Sequence, residues 1–398
     1  MRRVIAKILQ LQTERLLEKW KPLVIVVTGS VGKTSTTQAI ATMLAATKRV
    51  RATRHNYNTD VGVPCSVFGH DLPETLLNPF AWIRIVIKNE LTLSRNPEFD
   101  TLVLELGTDK PGEIADFAYL KPHIAVVTAI APEHMEFFGT IESVAEEELA
   151  VFDFAESVAC NEHLVPDKYL GIKDVNWYSV QILDKYKTKP KVLGEQGRQT
   201  AAAAVWVAEK VGIGKVATEA GLAKLAPQAG RMQLLRGVCD GILVDDTYNA
   251  SPEAYIAALD FLYQQKNCVR LLLLGNMNEL GASSADEHTR IGMYCDPKKL
   301  QVVVTLGPDA NKFAAVAAEK RGCKVVRTQT PSQAADVLRT ELKRAKGKKV
   351  VLLKGSQNGV FAEEAVKQLL QNKEDASRLV RQSPAWLKKK AKTLRLVG

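Results

Sequence analysis

One stretch of the chain combines glycines, a lysine and hydroxyls at a spacing that suits phosphate: Gly29-Ser30-Val31-Gly32-Lys33-Thr34-Ser35. Glycines let the backbone turn tightly, and amides at a helix N-terminus face an anion. Lys33 sets a cation on it, and the Thr34 hydroxyl can ligate Mg²⁺. Gly29, Ser30, Gly32, Lys33, Thr34 and Ser35 are therefore assigned to a bound nucleotide. The common G-x-x-x-x-G-K-T form has glycine where this chain has Val27. By itself the loop indicates only an NTPase of some kind.

Other polar residues close apolar runs. Glu105 ends TLVLE, where a hard carboxylate suits Mg²⁺, although a strand-end glutamate is ordinarily just solvated. His134, in APEHMEFFG, taken alone reads as a cap or a surface histidine. Asp246 and Asn249 follow an apolar run and can hydrogen-bond ribose or base; their plainer role is a turn with an Asn cap to PEAYIAALDF. Arg231, in the Gly-Arg-Met linker, can reach phosphates on domain closure or be a surface charge. Lys354 ends KVVLLKGS, where it can neutralise an acidic substrate or precede a simple turn.

The elements that must position these groups are short β-branched apolar runs at 23–29, 101–107, 124–130, 268–276, 301–307 and 349–356, separated by helix-length segments. Runs apolar on both faces indicate parallel sheets covered by helices, so the class is α/β. The rhythm falters between 215 and 245, and a boundary is placed near Gly230, before a new strand through LLRGVCDGILVDD. The division is a basic N-terminal helix (1–22), a central domain (23–229), a C-terminal domain (230–375) and a basic tail (376–398).

A chain of 398 residues allows two or three domains, and 46% hydrophobic with 25% charged residues excludes disorder, collagen and coiled coil. No uncharged apolar run reaches the ~18 residues of a membrane span, and the start lacks a signal peptide's apolar stretch. A cytoplasmic protein is expected. Its six cysteines lie far apart and read as reduced, mostly buried thiols. The net charge of +10 lies at the ends: six Lys/Arg against two Glu in 1–22, seven Lys/Arg and no acid in 376–398, and a nearly neutral body. Nucleic acid is therefore not expected as a partner. The ends carry apolar residues beside their charges, Val4, Ile8 and Leu11 in one and Trp386 and Leu387 in the other. They read either as a packed helix with a solvated tail, which we favour, or as peripheral contact with an anionic membrane.

The shortened loop TGSVGKTS is the form seen in Mur ligases, and the segments after it resemble the D-alanyl-D-alanine-adding (MurF) branch. Asn56-Tyr57-Asn58-Thr59-Asp60-Val61-Gly62-Val63-Pro64 resembles that branch's N-x-N-x-x-x-G-x-P, and Glu105-Leu106-Gly107 precedes Pro111-Gly112-Glu113-Ile114 as in its E-x-G…G-E-I. His134 matches the family's metal-binding histidine. Asp245 to Pro252, LGNMNELG (274–281) with His288, and Lys354-Gly355-Ser356 follow in family order. Thr247-Tyr248-Asn249 stands where ligases adding a single diamino acid, and folylpolyglutamate synthetases, tend to have Tyr-Ala-His.

The resemblance implies a central P-loop-type parallel-sheet ATPase domain followed by a Rossmann-like α/β C-terminal domain. It implies an ADP-forming ligase using ATP and Mg²⁺, in which a substrate carboxylate becomes an acyl phosphate that an amine attacks. The substrate is a small peptide or nucleotide-sugar peptide, most simply a UDP-N-acetylmuramoyl-peptide receiving D-alanyl-D-alanine, and the enzyme is read as a monomer. Alternatives are a related amide ligase on a lipid-linked or non-sugar acceptor, and a nucleotide-binding scaffold without ligation. By resemblance the catalytic set is Lys33, Glu105, His134 and Lys354, the metal ligands are Thr34, Glu105 and His134, and Arg231, Asp246 and Asn249 contact nucleotide. Many Mur ligases have a carbamylated lysine fourteen residues after that histidine; here the position is Glu148, already anionic, as a metal ligand or part of an acidic solvent face on ESVAEEELAVF. The pattern departs in three places. The UDP-sugar-binding domain that precedes the loop in this branch is expected to be missing; Gly194-Glu195-Gln196-Gly197-Arg198-Gln199-Thr200 replaces G-x-H-x-x-x-N; and Gln357 replaces an arginine.

Overall fold

The computed structural model describes residues 2–54, 57–73, 75–171, 173–357 and 359–394; Asn56 of the N-x-N segment and Arg395 of the tail lie outside them. The chain forms two compact units, Met1–Lys191 with Gly197–Ala226, and Val192–Gln196 with Pro227–Gly398. Among the described residues no helix is long and apolar enough to cross a membrane.

The first unit is built on a parallel sheet of β1 (Leu23–Thr28), β2 (Val50–Ala52), β3 (Thr101–Glu105), β4 (Ile124–Val127), β5 (Val158–Asn161) and β6 (Asn176–Tyr178), in the order β2-β3-β1-β4-β5-β6. The three central strands are those read from the apolar runs. They are buried nearly throughout because helices cover both faces. Strands β2, β5 and β6 are three or four residues long and carry no such run, so the sequence did not announce them. Val27 lies opposite Glu105 and Thr28 opposite Val127. That register gathers the phosphate loop, Glu105 and the turn after β4 at the carboxyl edge of the sheet, where parallel sheets bind ligands.

The helices that come before β3 are α1 (Arg2–Trp20), α2 (Lys33–Leu44), α3 (Gly62–Phe68) and α4 (Pro79–Leu93). The first packs rather than floats: Leu9, Leu16 and Trp20 are buried, and the Gln12 amide donates to Val86 O at 3.0 Å and to Glu90 Oε1 at 2.8 Å. Each fully buried leucine of this kind contributes about 1.5–3 kcal/mol.

The second unit carries β7 (Gln233–Arg236), β8 (Gly241–Asp246), β9 (Cys268–Gly275), β10 (Val302–Leu306), β11 (Val325–Thr328) and β12 (Lys348–Lys354), in the order β11-β10-β9-β12-β8-β7. All pairs are parallel except β7 with β8. LLRGVCDGILVDD is therefore a hairpin and not one strand. The chain reverses through Cys239 and Asp240, both at positive φ, and the Gly237 amide closes the turn on Gly241 O at 2.7 Å.

The tail is not solvated as a whole, which corrects the favoured reading. Arg381 Nε meets Glu363 Oε1 at 2.8 Å, and Lys390 Nζ lies 2.9 Å from Glu363 and 2.6 Å from Glu364. Glu363 is fully buried in the second unit and requires counter-charge there. Burial alone would raise its carboxyl, but Arg381 and Lys390 outweigh that and hold it below the usual carboxylate range.

Candidate active site

Strand β1 turns into α2 through the phosphate loop. Gly29 has φ +117, and a Cβ there would stand 2.3 Å from Thr128 Oγ1, so only glycine fits. The Ser30 amide donates to Ala129 O at 2.9 Å and its hydroxyl accepts from the Ala131 amide at 2.9 Å, tying the loop to the segment after β4. Gly32, in the left-handed region, precedes the helix and has no side chain to cap it. Lys33, Thr34 and Ser35 form the first turn, at the end of the helix whose amides and dipole favour an anion.

Lys33 stands among acids. Its Nζ lies 3.3 Å from Glu133 Oε2 and 3.5 Å from Glu148 Oε1. Burial disfavours the ammonium, but Glu133, Glu148 and Glu105 together outweigh it and hold Lys33 above the ordinary lysine range. Glu148 comes from α6 (Ile141–Leu149), which follows the single turn α5 (Met135–Phe138). It is wholly buried; Oε2 accepts from the Gly29 amide at 2.6 Å and from the Thr28 hydroxyl, while Oε1 accepts no hydrogen bond. Burial pushes its carboxyl well above the usual range against the pull of Lys33, and Glu133 adds to the rise. The acidic run is therefore no solvent face beyond Glu146: Glu147 is also buried and accepts from the amides of Gly112 at 2.6 Å and Ile114 at 2.7 Å.

Glu105 is buried at the end of β3 and accepts from Asn58 Nδ2 at 3.1 Å. Gly107 makes that approach feasible, since a Cβ there would meet Asn58 Nδ2 at 2.2 Å. His134 caps α5 in the left-handed conformation, with Nε2 3.6 Å from Asp109 Oδ1. Among the described residues no three His, Cys, Asp or Glu side chains already surround a common point.

In the second unit Lys354 lies opposite Asp246 across β12 and β8, and its buried Nζ reaches Asp246 Oδ2 at 2.6 Å and Asn249 O at 3.1 Å. Asp246 Oδ1 accepts from the Met232 amide at 3.1 Å. Both charges thus hold the 246–252 loop in shape, and the exposed Asn249 is the member of the set that faces solvent. Arg231 stacks on Tyr248, its Cζ 4.0 Å from the ring centroid. Arg381 donates to the carbonyls of Tyr248, at 2.9 Å, and Thr247, so the tail braces the same loop.

Residues 27–75 and 83–168 match the Mur ligase middle domain, and residues 230–357 match the Mur ligase, glutamate ligase domain. The chain belongs to the Mur ligase family. It is 26% identical to the UDP-N-acetylmuramoyl-tripeptide–D-alanyl-D-alanine ligase of Haemophilus influenzae, over 86% of this chain and 76% of that protein. It is 27% identical to the ligase of the same name from Bacillus subtilis, over 92% and 79%. In fold it is similar to MurF from Acinetobacter baumannii (TM-score 0.73, 22% identity, 92% of this chain and 80% of that one). It is likewise similar to a MurF ligase from Thermotoga maritima in complex with ADP (TM-score 0.66, 23% identity, 94% and 83%).

For a Mur ligase of this sequence, two residues of the site, Glu133 and Arg381, escaped a reading by motif, and a third, Asn58, had no role assigned. Glu133 touches Lys33, and its one signal was adjacency to His134. Asn58, quoted within a motif, fixes Glu105. Arg381 carried no local signal, because a lone arginine in a basic tail reads as solvated.

Proposed function

We propose that this Mur ligase uses ATP to join D-alanyl-D-alanine to a UDP-N-acetylmuramoyl-tripeptide, in the cytoplasm. The observation that carries the reading is that relatives named for this reaction align along 86–92% of the chain. The phosphate loop, with Lys33 held as an ammonium, supports it. In this reading the substrate carboxylate takes the γ-phosphoryl group as ADP leaves, and the amine then attacks the carbonyl carbon, expelling phosphate and losing a proton. Lys33 and the first amides of α2 bind the phosphates, and Asn249 and Arg231 contact the nucleotide. Asp246 and Lys354 keep the loop that presents Asn249 in place.

The donor chemistry suits Mg²⁺, a hard ion: Glu148 Oε1 is a buried carboxyl oxygen that accepts no hydrogen bond and stands 3.5 Å from the Lys33 ammonium. Glu148, Glu105, Thr34 and His134 are the residues we propose to hold it. Bound there, Mg²⁺ supplies positive charge over the phosphates. The test is phosphate release from ATP with UDP-N-acetylmuramoyl-tripeptide and D-alanyl-D-alanine, each alone and together. Turnover should require both. Equal turnover without substrates would support a plain NTPase, and turnover only with a lipid-linked muramoyl peptide would move the acceptor.

A further inference from the structure

Helices α1 and α4 lie side by side and run in the same direction, as their hydrogen bonds show: Gln12 meets Val86 O, Arg15 meets Glu90, and Lys19 meets Leu93 O. Their inner faces are buried with α3. Their outer faces are apolar as well. Val4, Ile8 and Leu11 recur at helical spacing on α1, and Ile83, Ile87 and Leu91, each 54–56% exposed, recur on α4. Phe80, 79% exposed, extends the second stripe toward the start of α4, and Leu77 stands just before it. An apolar face this continuous on a folded surface marks an interaction site.

Its borders are cationic along the first half of α1 and along α4, with Glu14 and Glu18 further down the outer side of α1. Arg3 and Lys7 each precede a residue of the α1 stripe and lie along its outer side, away from α4; Arg84 and Lys88 follow Ile83 and Ile87 along the outer side of the α4 stripe. All four are exposed. Glu90, on the α1 side of the α4 stripe, is held by Arg15 and Gln12. The match to the middle domain breaks between residues 75 and 83, the segment that carries Leu77 and Phe80.

We infer that the α1–α4 face lies on an anionic phospholipid surface, its apolar stripes set into the interface and its basic borders on the headgroups. An amphipathic face bordered by lysine and arginine meets both properties of such a membrane at once. The inference concerns where the enzyme sits, and it holds whichever acceptor the ligase uses.

The full chain is co-sedimented with vesicles of equal parts phosphatidylglycerol and phosphatidylcholine, and with vesicles of phosphatidylcholine alone. Binding should appear on the anionic vesicles at low salt, fall as salt rises, and be at least ~10-fold weaker on the neutral ones. The double variant Ile83→Ser/Ile87→Ser should lose at least ~10-fold on anionic vesicles, with unchanged melting temperature and phosphate release. Phe80→Ser, at the most exposed position, gives the same reading should the double variant melt early. Arg84→Gln/Lys88→Gln should weaken binding and flatten its salt dependence. Absence of binding to anionic vesicles, or serine variants that bind like wild type, overturns the inference. So does a dimer that Ile87→Ser dissociates, since the occupant would then be a second copy.

Discussion

At Lys33 a single cation answers Glu133, Glu148 and Glu105, and that imbalance sets what substitutions there should do. Replacing it with alanine removes the charge over the phosphates, so Lys33→Ala should lose at least ~10²-fold in kcat, about 2.7 kcal/mol, measured by phosphate release. Wild-type turnover in that variant would remove Lys33 from the chemistry. Glu148→Gln keeps an acceptor for the Thr28 hydroxyl and the Gly29 amide but gives up the negative charge. Its half-saturating Mg²⁺ should rise several-fold at unchanged melting temperature, while wild-type activity stays independent of bicarbonate. Restoration by bicarbonate of a wild-type enzyme depleted of CO₂ would show that a carbamylated lysine acts instead. Asp245 is a different case, buried at the end of β8 with its carboxyl raised to about 6, mainly by burial and against its hydrogen bonds from Thr247. A carboxyl raised in the folded state binds its proton more tightly there, so its contribution to stability falls as pH rises through about 4–6. Between pH 4 and 7 Asp245→Asn should gain on the order of 2 kcal/mol relative to wild type in urea unfolding. A gap between the two proteins that does not change with pH would refute this.

Among the elements, the basic tail shows how far composition misleads. As a sequence, residues 376–398 are a charge run beside an apolar pair; folded, Arg381 and Lys390 neutralise the buried Glu363, and Arg381 braces the carbonyls of the loop that follows β8. Breaking a buried pair leaves an uncompensated charge, so Arg381→Met should cost about 3–5 kcal/mol in urea unfolding. If Glu363→Gln is added, most of that loss should return, because the stranded charge is gone. A loss below about 1 kcal/mol would mean the pair is solvated. Deleting 376–398 is for the same reason a poor probe of surface charge, whereas Lys388, Lys389 and Lys392 are exposed and can be changed singly. The hairpin of β7 and β8 was equally illegible: an apolar run with two glycines reads as one strand until its partner is known, and the reversal at Cys239 and Asp240 depends on pairing.

For the molecule as a whole, a ligand that binds the folded chain stabilises it by mass action. ATP with Mg²⁺ at about a hundred times its Kd should add roughly 2.7 kcal/mol and raise the melting temperature by a few degrees. Chelating the metal should shrink that shift, and Lys33→Ala should abolish it; an unshifted wild-type melt would contradict nucleotide binding. The sequence alone determined the α/β class, the central strands and the phosphate loop, because each rests on local patterns: apolar runs, a glycine's φ, a lysine at the start of a helix. It also carried the family, since its motifs occur in order along the chain. Tertiary structure decided which charges meet. Glu133 and Glu148 reach Lys33 from positions 100 and 115 residues along the chain, and Arg381 returns to a loop more than a hundred residues before it. It also decided that the apolar residues of α1 are divided, Leu9 and Leu16 to the core and Val4, Ile8 and Leu11 to the surface. Pairing energies of buried charges depend on burial and on distances of a few ångströms, and neither quantity exists until the strands have set the register.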